Sequence, residues 1–173
     1  YKNLIEKIRK KIPNITLSTD VIVGFPGETR KHFENTVRLF KEIRFDMAYI
    51  SQYSPRPGTA AFRIKDDVPR EEKKKREKEL TEILEKTALE KNKKYIGKTV
   101  KVLVIKHKIS NMKHFYIGKT LSHKTVRFQV FHPASERSSV QSKGSKFQDI
   151  IGKFIKVKII DALPWGLLGK QAA

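Results

Sequence analysis

Three side chains in the stretch Ser18–Thr29 (STDVIVGFPGET) are spaced so that they can meet one ligand. Ser18, Asp20 and Ile22 alternate along a predicted strand, so all three lie on the same face of it. A hydroxyl, a carboxylate and an apolar side chain on a common face can line a binding site. They can also be structural, with the two polar groups satisfying backbone groups at the strand start.

A tight turn follows this strand directly. Gly24 and Gly27 flank Phe25-Pro26, and glycine allows positive φ while proline fixes its own φ. The glycines therefore shape a turn, with a phosphate cradle as the alternative interpretation. Glu28 can orient the turn or complement the start of a following helix, which Thr29 can cap.

The surrounding elements predict a βαβ unit. The β-branched run Val21–Val23 suits a strand that is covered on both faces. Apolar residues at helical spacing predict a helix over 29–44, and a second strand over 45–53 ends in the turn Ser54–Thr59. The two strands should be parallel neighbours.

In a unit of this kind the loops after the strands form one ligand-binding rim. Tyr53 and Arg56 of the second loop therefore belong to the same rim as Gly24. Arg56 can contact a cofactor or an RNA phosphate, or it can pair with an acidic neighbour.

Helices are predicted on either side of this unit. One covers residues 3–12, and because the chain opens inside this pattern at Tyr1, we expect it to be a piece of a longer protein. After the irregular residues 60–68, a long connecting helix is predicted over 69–94. Its run Lys73–Arg76 is typical of a solvated helix face.

The residues from Tyr95 onward predict a small antiparallel β-barrel. Short β-rich segments lie at 100–105, 125–130 and 156–160. They are punctuated by glycines, which favour turns: Gly97, Gly118, Gly152 and Gly169. The polar insertion 135–147 is predicted to be a mobile loop.

This β-rich part also carries most of the positive charge. Lysine and arginine outnumber acidic residues by 38 to 18, and the formal charge is +20. Residues 95–173 hold 13 lysines and 2 arginines against 3 acidic residues, a formal charge of +12. Such an excess attracts polyanions, nucleic acid first and an anionic membrane or acidic protein second; the alternative is a merely solvated surface. The candidate phosphate contacts are Lys98, Lys101, Lys119, Arg127, Lys153 and Lys156, with Phe128 or Trp165 as a stacking platform or as core.

Several kinds of chemistry are excluded by composition. The chain has no cysteine, so it has no disulfide and no thiolate metal ligand. The 5 histidines show no metal-ligand spacing, no nucleophile–base pair stands out, and no apolar run approaches the ~20 residues that span a bilayer. We therefore predict no metal site and no membrane partner.

Several stretches together resemble the radical S-adenosylmethionine methylthiotransferases that modify tRNA. They are STDVIVGFPGET, Phe45-Asp46, YSPRPGT at 53–59, Lys91-Asn92 before Ile96–Thr99, and Ile151–Lys153 with the later Leu168-Gly169. The resemblance implies an α/β fold in three parts. Residues 1–68 would be the C-terminal portion of a partial (β/α) barrel, 69–94 a connecting helix, and 95–173 a TRAM domain, an OB-like RNA-binding barrel.

The resemblance also implies cofactors and partners. S-adenosylmethionine would be bound near Ser18, Asp20, Ile22, Gly24, Tyr53 and Arg56, and tRNA by the TRAM domain. The family holds one 4Fe–4S cluster in a Cys-x-x-x-Cys-x-x-Cys loop and a second in an N-terminal domain. Since this chain has no cysteine, both clusters would belong to a missing N-terminal part of the same cytoplasmic polypeptide, and the chain alone should be inactive.

Within the family, the turn YSPRPGT favours the tRNA enzymes over the branch that modifies a ribosomal protein, which usually carries acidic residues there. The branch acting on isopentenyladenosine beside the anticodon is preferred. The alternative is the threonylcarbamoyladenosine branch, whose usual His-Val-Phe before the second turn is absent here. An alternative of another class is a non-catalytic RNA-binding protein that contains a TRAM domain.

Overall fold

The computed structural model describes residues 1–110, 113–130 and 150–172. The chain forms two compact units, Tyr1–Ala88 and Leu89–Ala173. The predicted loop at 135–147 lies outside the described residues.

The first unit is built from alternating helices and strands. Its elements are α1 (Lys2–Lys11), β1 (Ser18–Val23), α2 (Arg30–Ile43), β2 (Met47–Gln52), a short 3₁₀-helix (Ala60–Arg63) and the larger part of α3 (Arg70–Lys93).

Strands β1 and β2 confirm the predicted parallel pairing. Their register runs from Ser18 opposite Met47 to Val23 opposite Gln52. The connecting helix α2 begins at a capping box in which the Thr29 hydroxyl accepts from the His32 amide at 3.2 Å. Thr29 is thus the predicted N-cap.

Only one face of this small sheet is covered within the described chain. Helix α2 contributes the buried side chains Phe33, Val37, Phe40 and Ile43, and α3 adds Leu80 and Leu84. On the opposite face, Ile22 is 55% exposed and Tyr49 is 62% exposed. The prediction of a strand covered on both faces is therefore wrong for this chain, because the helices pack on one side of β1 only.

The second unit is a closed five-stranded barrel in the order β3-β4-β5-β7-β6. The strands are β3 (Thr99–Ser110), β4 (Lys113–Thr120), β5 (Thr125–Gln129), β6 (Phe154–Leu163) and β7 (Gly166–Gln171). Neighbouring strands are antiparallel except β5 and β7, which are parallel. The predicted purely antiparallel barrel needs this correction, because the β6–β7 hairpin inserts β7 beside β5.

Two glycines that the sequence suggested as turn residues lie inside strands. Gly118 is paired with Val104 in β4, and Gly169 is paired with Ile159 in β7. A Cβ on Gly118 would overlap the carbonyl oxygen of Leu103. Both glycines therefore allow close approach of neighbouring strands, and this is why β4 and β7 were missed from sequence.

Candidate functional site

The side chains of Ser18, Asp20 and Ile22 share the open face of the first unit, as their alternation predicted. All three are exposed. The strand register places Tyr49 beside Asp20 and Ser51 beside Ile22, and both of these are exposed as well. The open face, defined by these five side chains, offers hydroxyl groups and a carboxylate around an apolar patch.

The turn after β1 uses its own amides internally. Gly24 (φ 68°) donates its amide to Glu28 Oε2 at 2.6 Å, and Gly27 (φ 81°) donates its amide to Asp67 Oδ1 at 2.8 Å. Glu28 donates its amide to the Phe25 carbonyl at 2.8 Å. Because the glycine amides already donate to carboxylates, this geometry favours the shaped turn over the phosphate cradle.

The loop after β2 begins with a buried tyrosine and continues as an exposed segment. Tyr53 donates its amide to the Val23 carbonyl at 2.8 Å and its hydroxyl to the Ala61 carbonyl at 3.0 Å. Its ring also packs edge-on against Phe25 at 5.1 Å. Tyr53 therefore holds the loop together, whereas Arg56 is exposed and has no acidic partner in the part of the chain that the structure describes.

Two basic residues of α3 are buried beneath these loops, so the predicted solvated face at Lys73–Arg76 is wrong at both ends. Lys73 Nζ donates to both oxygens of Asp66, at 2.6 and 2.8 Å, and to the Tyr53 carbonyl at 3.3 Å. The stem of Lys73 occupies the space where a Cβ on Gly24 would lie. Glycine is therefore required at position 24 by space as well as by its positive φ.

Arg76 joins the first turn to α3. Its Nη1 donates to Glu28 Oε2 at 2.6 Å and to the Glu28 carbonyl at 2.9 Å, and its Nε donates to Glu72 Oε1 at 2.9 Å. Burial opposes the charged guanidinium, but hydrogen bonds and charges from Glu28 and Glu72 outweigh it and raise the pKa of Arg76. The guanidinium is therefore charged at any working pH.

The inward positions of Lys73 and Arg76 were not predicted from the sequence, although the spacing of the two residues carries a signal. They precede Leu80 and Leu84 at intervals of three and four residues, which places all four on one face of a helix. Leu80 and Leu84 belong to the core of this unit. The position of Lys73 and Arg76 on the same helix face as Leu80 and Leu84 therefore indicates that both basic side chains point inward, despite their charge.

The barrel brings the predicted phosphate contacts onto its outer surface. Lys101 of β3 lies directly opposite Lys156 of β6, while Lys98 and Lys153 immediately precede these segments and are exposed. Lys119 of β4 is half-buried and donates to the Thr125 hydroxyl at 2.8 Å. Arg127 of β5 is exposed, with its guanidinium 3.9 Å from the centroid of the Phe115 ring.

Two further lysines extend this basic surface. Lys158 of β6 and Lys170 of β7 lie opposite each other and are exposed. The sequence signal for this basic surface was the spacing of Lys156 and Lys158, because residues two apart lie on the same face of a strand. Like charges placed directly opposite each other destabilise a sheet, and a bound anion would relieve that cost.

The two aromatic candidates differ in position. Phe128 is 1% exposed and stacks on Tyr116 inside the barrel, so its interpretation as a platform is wrong. Trp165, in the turn between β6 and β7, is 45% exposed. Phe154 was not predicted; it is 49% exposed, with Lys101 Nζ 4.6 Å from its ring centroid. Trp165 and Phe154 are thus two exposed aromatic rings in the described part of the barrel that a base can reach.

Comparison with known proteins finds relatives that match nearly the whole chain. No family model matches the chain. The chain is 41% identical to each of three proteins named tRNA-2-methylthio-N(6)-dimethylallyladenosine synthase, from Bacillus cytotoxicus, Bacillus cereus and Bacillus anthracis. Each match extends over 170 residues and covers 98% of this chain. Nearly the whole chain is therefore similar to proteins that carry this name. It spans about 30% of the length of these relatives.

The two cofactors that the resemblance implies fit the residues of this chain differently. The open face suits a nucleoside with a charged tail, because Ile22 can pack against an apolar ring while Ser18 and Asp20 bind polar groups. An iron–sulfur cluster needs thiolate ligands, and the sequence has no cysteine, so the chain holds no ligand for it. Within residues 1–110, 113–130 and 150–172, no group of three or more candidate metal ligands is found.

The described part of the chain contains the α-helices α1, α2 and α3. None of its helices combines the length and the apolar composition that crossing a bilayer requires.

Proposed function

We propose that this chain is the C-terminal part of a radical S-adenosylmethionine tRNA methylthiotransferase that acts on N6-dimethylallyladenosine beside the anticodon. The observation that carries the proposal is the match over 98% of the chain to synthases named for that nucleoside. The dimethylallyl group is the isopentenyl group of the sequence-based expectation, so these names favour that branch over the threonylcarbamoyladenosine branch.

In this proposal residues 1–68 complete a partial (β/α) barrel whose interior is the open face. Asp20 binds a polar group of S-adenosylmethionine, Ser18 adds a hydrogen bond, and Ile22 packs against the adenine. S-adenosylmethionine, when bound, supplies the radical and the methyl group of the reaction. The open position of Ser18, Asp20 and Ile22 at a parallel sheet supports this assignment, since parallel sheets are normally covered on both faces.

Gly24, Tyr53 and Arg56 have separate parts in the proposed site. Gly24 allows the chain to turn away from β1, and Tyr53 anchors the second loop through its hydroxyl. Arg56 is exposed on that loop and is proposed to contact a phosphate of the RNA substrate or a polar group of the cofactor. The proposed roles of Gly24 and Tyr53 are therefore positional, whereas Arg56 is proposed as a binding residue.

The barrel of residues 95–173 is proposed as the TRAM domain that binds tRNA, with 69–94 as the connecting helix. Support comes from the formal charge of +12 and from the facing pairs Lys101–Lys156 and Lys158–Lys170. Phosphates bridging these pairs would position the RNA, and stacking on Trp165 or Phe154 would hold an unpaired base.

The test is catalysis by the full-length product of the gene. The purified product, with its iron–sulfur clusters reconstituted, is incubated with S-adenosylmethionine, a reductant, a sulfur source and tRNA that contains N6-dimethylallyladenosine. We expect nucleoside analysis by mass spectrometry to show 2-methylthio-N6-dimethylallyladenosine. Tight tRNA binding without any methylthio product would instead support the non-catalytic RNA-binding protein.

A further inference from the structure

We propose that Lys73 and Arg76 are positioning residues that fix the two rim loops, 24–28 and 53–67, in the arrangement that binds S-adenosylmethionine. The ligand in this inference rests on the proposed function. The clamp itself rests only on the contacts within the first unit.

Lys73 connects three segments that are distant in sequence. Its ammonium group donates to Asp66 and to the Tyr53 carbonyl, at the two ends of the second loop, and its stem packs against Gly24 of the first turn. The ammonium also lies 5.2 Å from the centroid of the Tyr53 ring. Because the Lys73 side chain is only 7% exposed, loss of these partners would leave a buried ammonium group without compensating contacts.

Arg76 fixes the first turn from one helical turn further along α3. Glu28 Oε2 accepts from both Arg76 and the Gly24 amide, so one carboxylate links the helix to the start of the turn. The Glu28 carbonyl accepts from Arg76 as well. The far side of the turn is held by Asp67, which accepts from Gly27. The first loop is therefore held by α3 through the Glu28–Arg76 contact and by the second loop through the Gly27–Asp67 hydrogen bond.

Polar contacts, including the bond from the Tyr53 hydroxyl to the Ala61 carbonyl, hold the second loop, and apolar packing adds little. None of the residues 54–67 is buried, so apolar packing contributes little to the loop conformation. Buried ion pairs add little net stability compared with apolar residues of the same shape, but they select one arrangement of the groups that they join. We therefore assign Lys73 and Arg76 to loop geometry rather than to the stability of the unit.

The first test is amide hydrogen exchange in the 173-residue chain. Lys73→Met keeps the stem beside Gly24 and removes the charge, and Arg76→Met does the same for the second clamp. Lys75→Met, at an exposed position of the same helix, is the matched control. We expect exchange in 24–28 and 53–67 to rise about tenfold or more in the two clamp variants, with α2 unchanged and with no change in the control.

Unchanged exchange in the rim loops would overturn the clamp. Equal acceleration in the loops and in α2 would also overturn it, provided that the milder variants Lys73→Arg and Arg76→Lys give the same uniform pattern. If the milder variants instead accelerate the loops alone, the clamp is supported even though the methionine variants unfold.

The second test is equilibrium dialysis of S-adenosylmethionine against the full-length product with its clusters. We expect about tenfold weaker binding by Lys73→Met than by wild type, and wild-type binding by Lys75→Met. Loose loops with undiminished binding would overturn the positioning role. No binding by the wild type, together with accelerated loop exchange in the variants, would contradict the proposed function and leave the clamp supported.

Discussion

At the scale of single residues, the rim separates side chains that face outward from side chains that hold it in shape. Asp20 lies exposed on the open face, opposite Tyr49 in the neighbouring strand. Glu28 lies inside, where it accepts from Gly24 and Arg76. Substitutions on the open face should therefore affect ligand chemistry, and substitutions in the turn should affect folding.

Asp20→Asn tests the outward group. In the full-length product it keeps the size and most hydrogen bonds of Asp20 but removes the charge. We expect a melting temperature within about 2 °C of wild type, because surface changes cost little. We expect cofactor cleavage, measured as 5′-deoxyadenosine, to fall at least about tenfold. If Asp20→Asn instead has a clearly lower melting temperature and its folded fraction is fully active, the role of Asp20 is structural and the binding role is contradicted.

Gly27→Val tests the turn. Gly27 has φ 81° and open space around its missing Cβ, so the cost of valine is conformational rather than steric. We expect a loss of about 1–3 kcal/mol in the free energy of unfolding, measured by denaturant titration. Gly27→Asn is the control, since asparagine tolerates positive φ, and it should lose clearly less. Equal stability of the two variants would show that the turn is not strained.

At the scale of elements, the barrel depends on close strand approach at glycine. A Cβ on Gly118 would overlap the Leu103 carbonyl oxygen of the neighbouring strand, whereas a Cβ on Gly97 would meet nothing. The rigid backbone on one side of Gly118 leaves little room to adjust. The two glycines therefore have different roles in the same unit.

Gly118→Ala should destabilise the barrel by about 2–4 kcal/mol, and Gly97→Ala, which has only its φ of 83° to contend with, by about 1 kcal/mol. Trp165 is the single tryptophan and lies in the barrel, so its fluorescence during denaturant unfolding reports this unit. If Gly118→Ala lowers the free energy of unfolding no more than Gly97→Ala does, then β4 can move away from β3, which would contradict the prediction.

Elements whose apolar residues recur with a regular spacing could be predicted from the sequence. Elements whose packing depends on glycine or on buried charged side chains could not. The stripe Phe33, Val37, Phe40 and Ile43 predicted α2 and its buried face, because helical spacing of apolar residues has one common explanation. Strands β4 and β7 were missed because Gly118 and Gly169 suggested turns. In the candidate site, the shared face of Ser18, Asp20 and Ile22 followed from strand alternation. The inward direction of Lys73 and Arg76 was available from their helical spacing to Leu80 and Leu84, but their partners Glu28 and Asp66 were not, because no local pattern indicates which carboxylates meet them.

At the scale of the whole molecule, charge is the most informative property. More than half of the formal charge of +20 lies in residues 95–173. In the described strand pairing, Lys101 faces Lys156 and Lys158 faces Lys170, so each of these lysines faces another lysine rather than an acidic residue. In the proposed complex an RNA backbone would supply the missing negative charge, so binding should be driven largely by counterion release.

The 173-residue chain should therefore bind tRNA with strong salt dependence. Between 50 and 200 mM salt we expect the affinity to fall by about a thousandfold, as for proteins that make ~6–10 phosphate contacts. Lys156→Gln combined with Lys158→Gln should reduce the salt slope, whereas Lys41→Gln, exposed on α2, should not. Filter binding or fluorescence anisotropy provides the measurement. Absent binding at low salt, or binding indifferent to salt, would contradict the RNA-binding assignment.

The central claim, membership of a working tRNA methylthiotransferase, is tested most directly in cells. The gene is disrupted, and the nucleosides of total tRNA are measured by mass spectrometry with and without the wild-type gene restored. We predict that 2-methylthio-N6-dimethylallyladenosine disappears on disruption, that N6-dimethylallyladenosine accumulates, and that restoration reverses both changes. Unchanged 2-methylthio-N6-dimethylallyladenosine in the disrupted strain, in the absence of a second gene for the same reaction, would contradict the account.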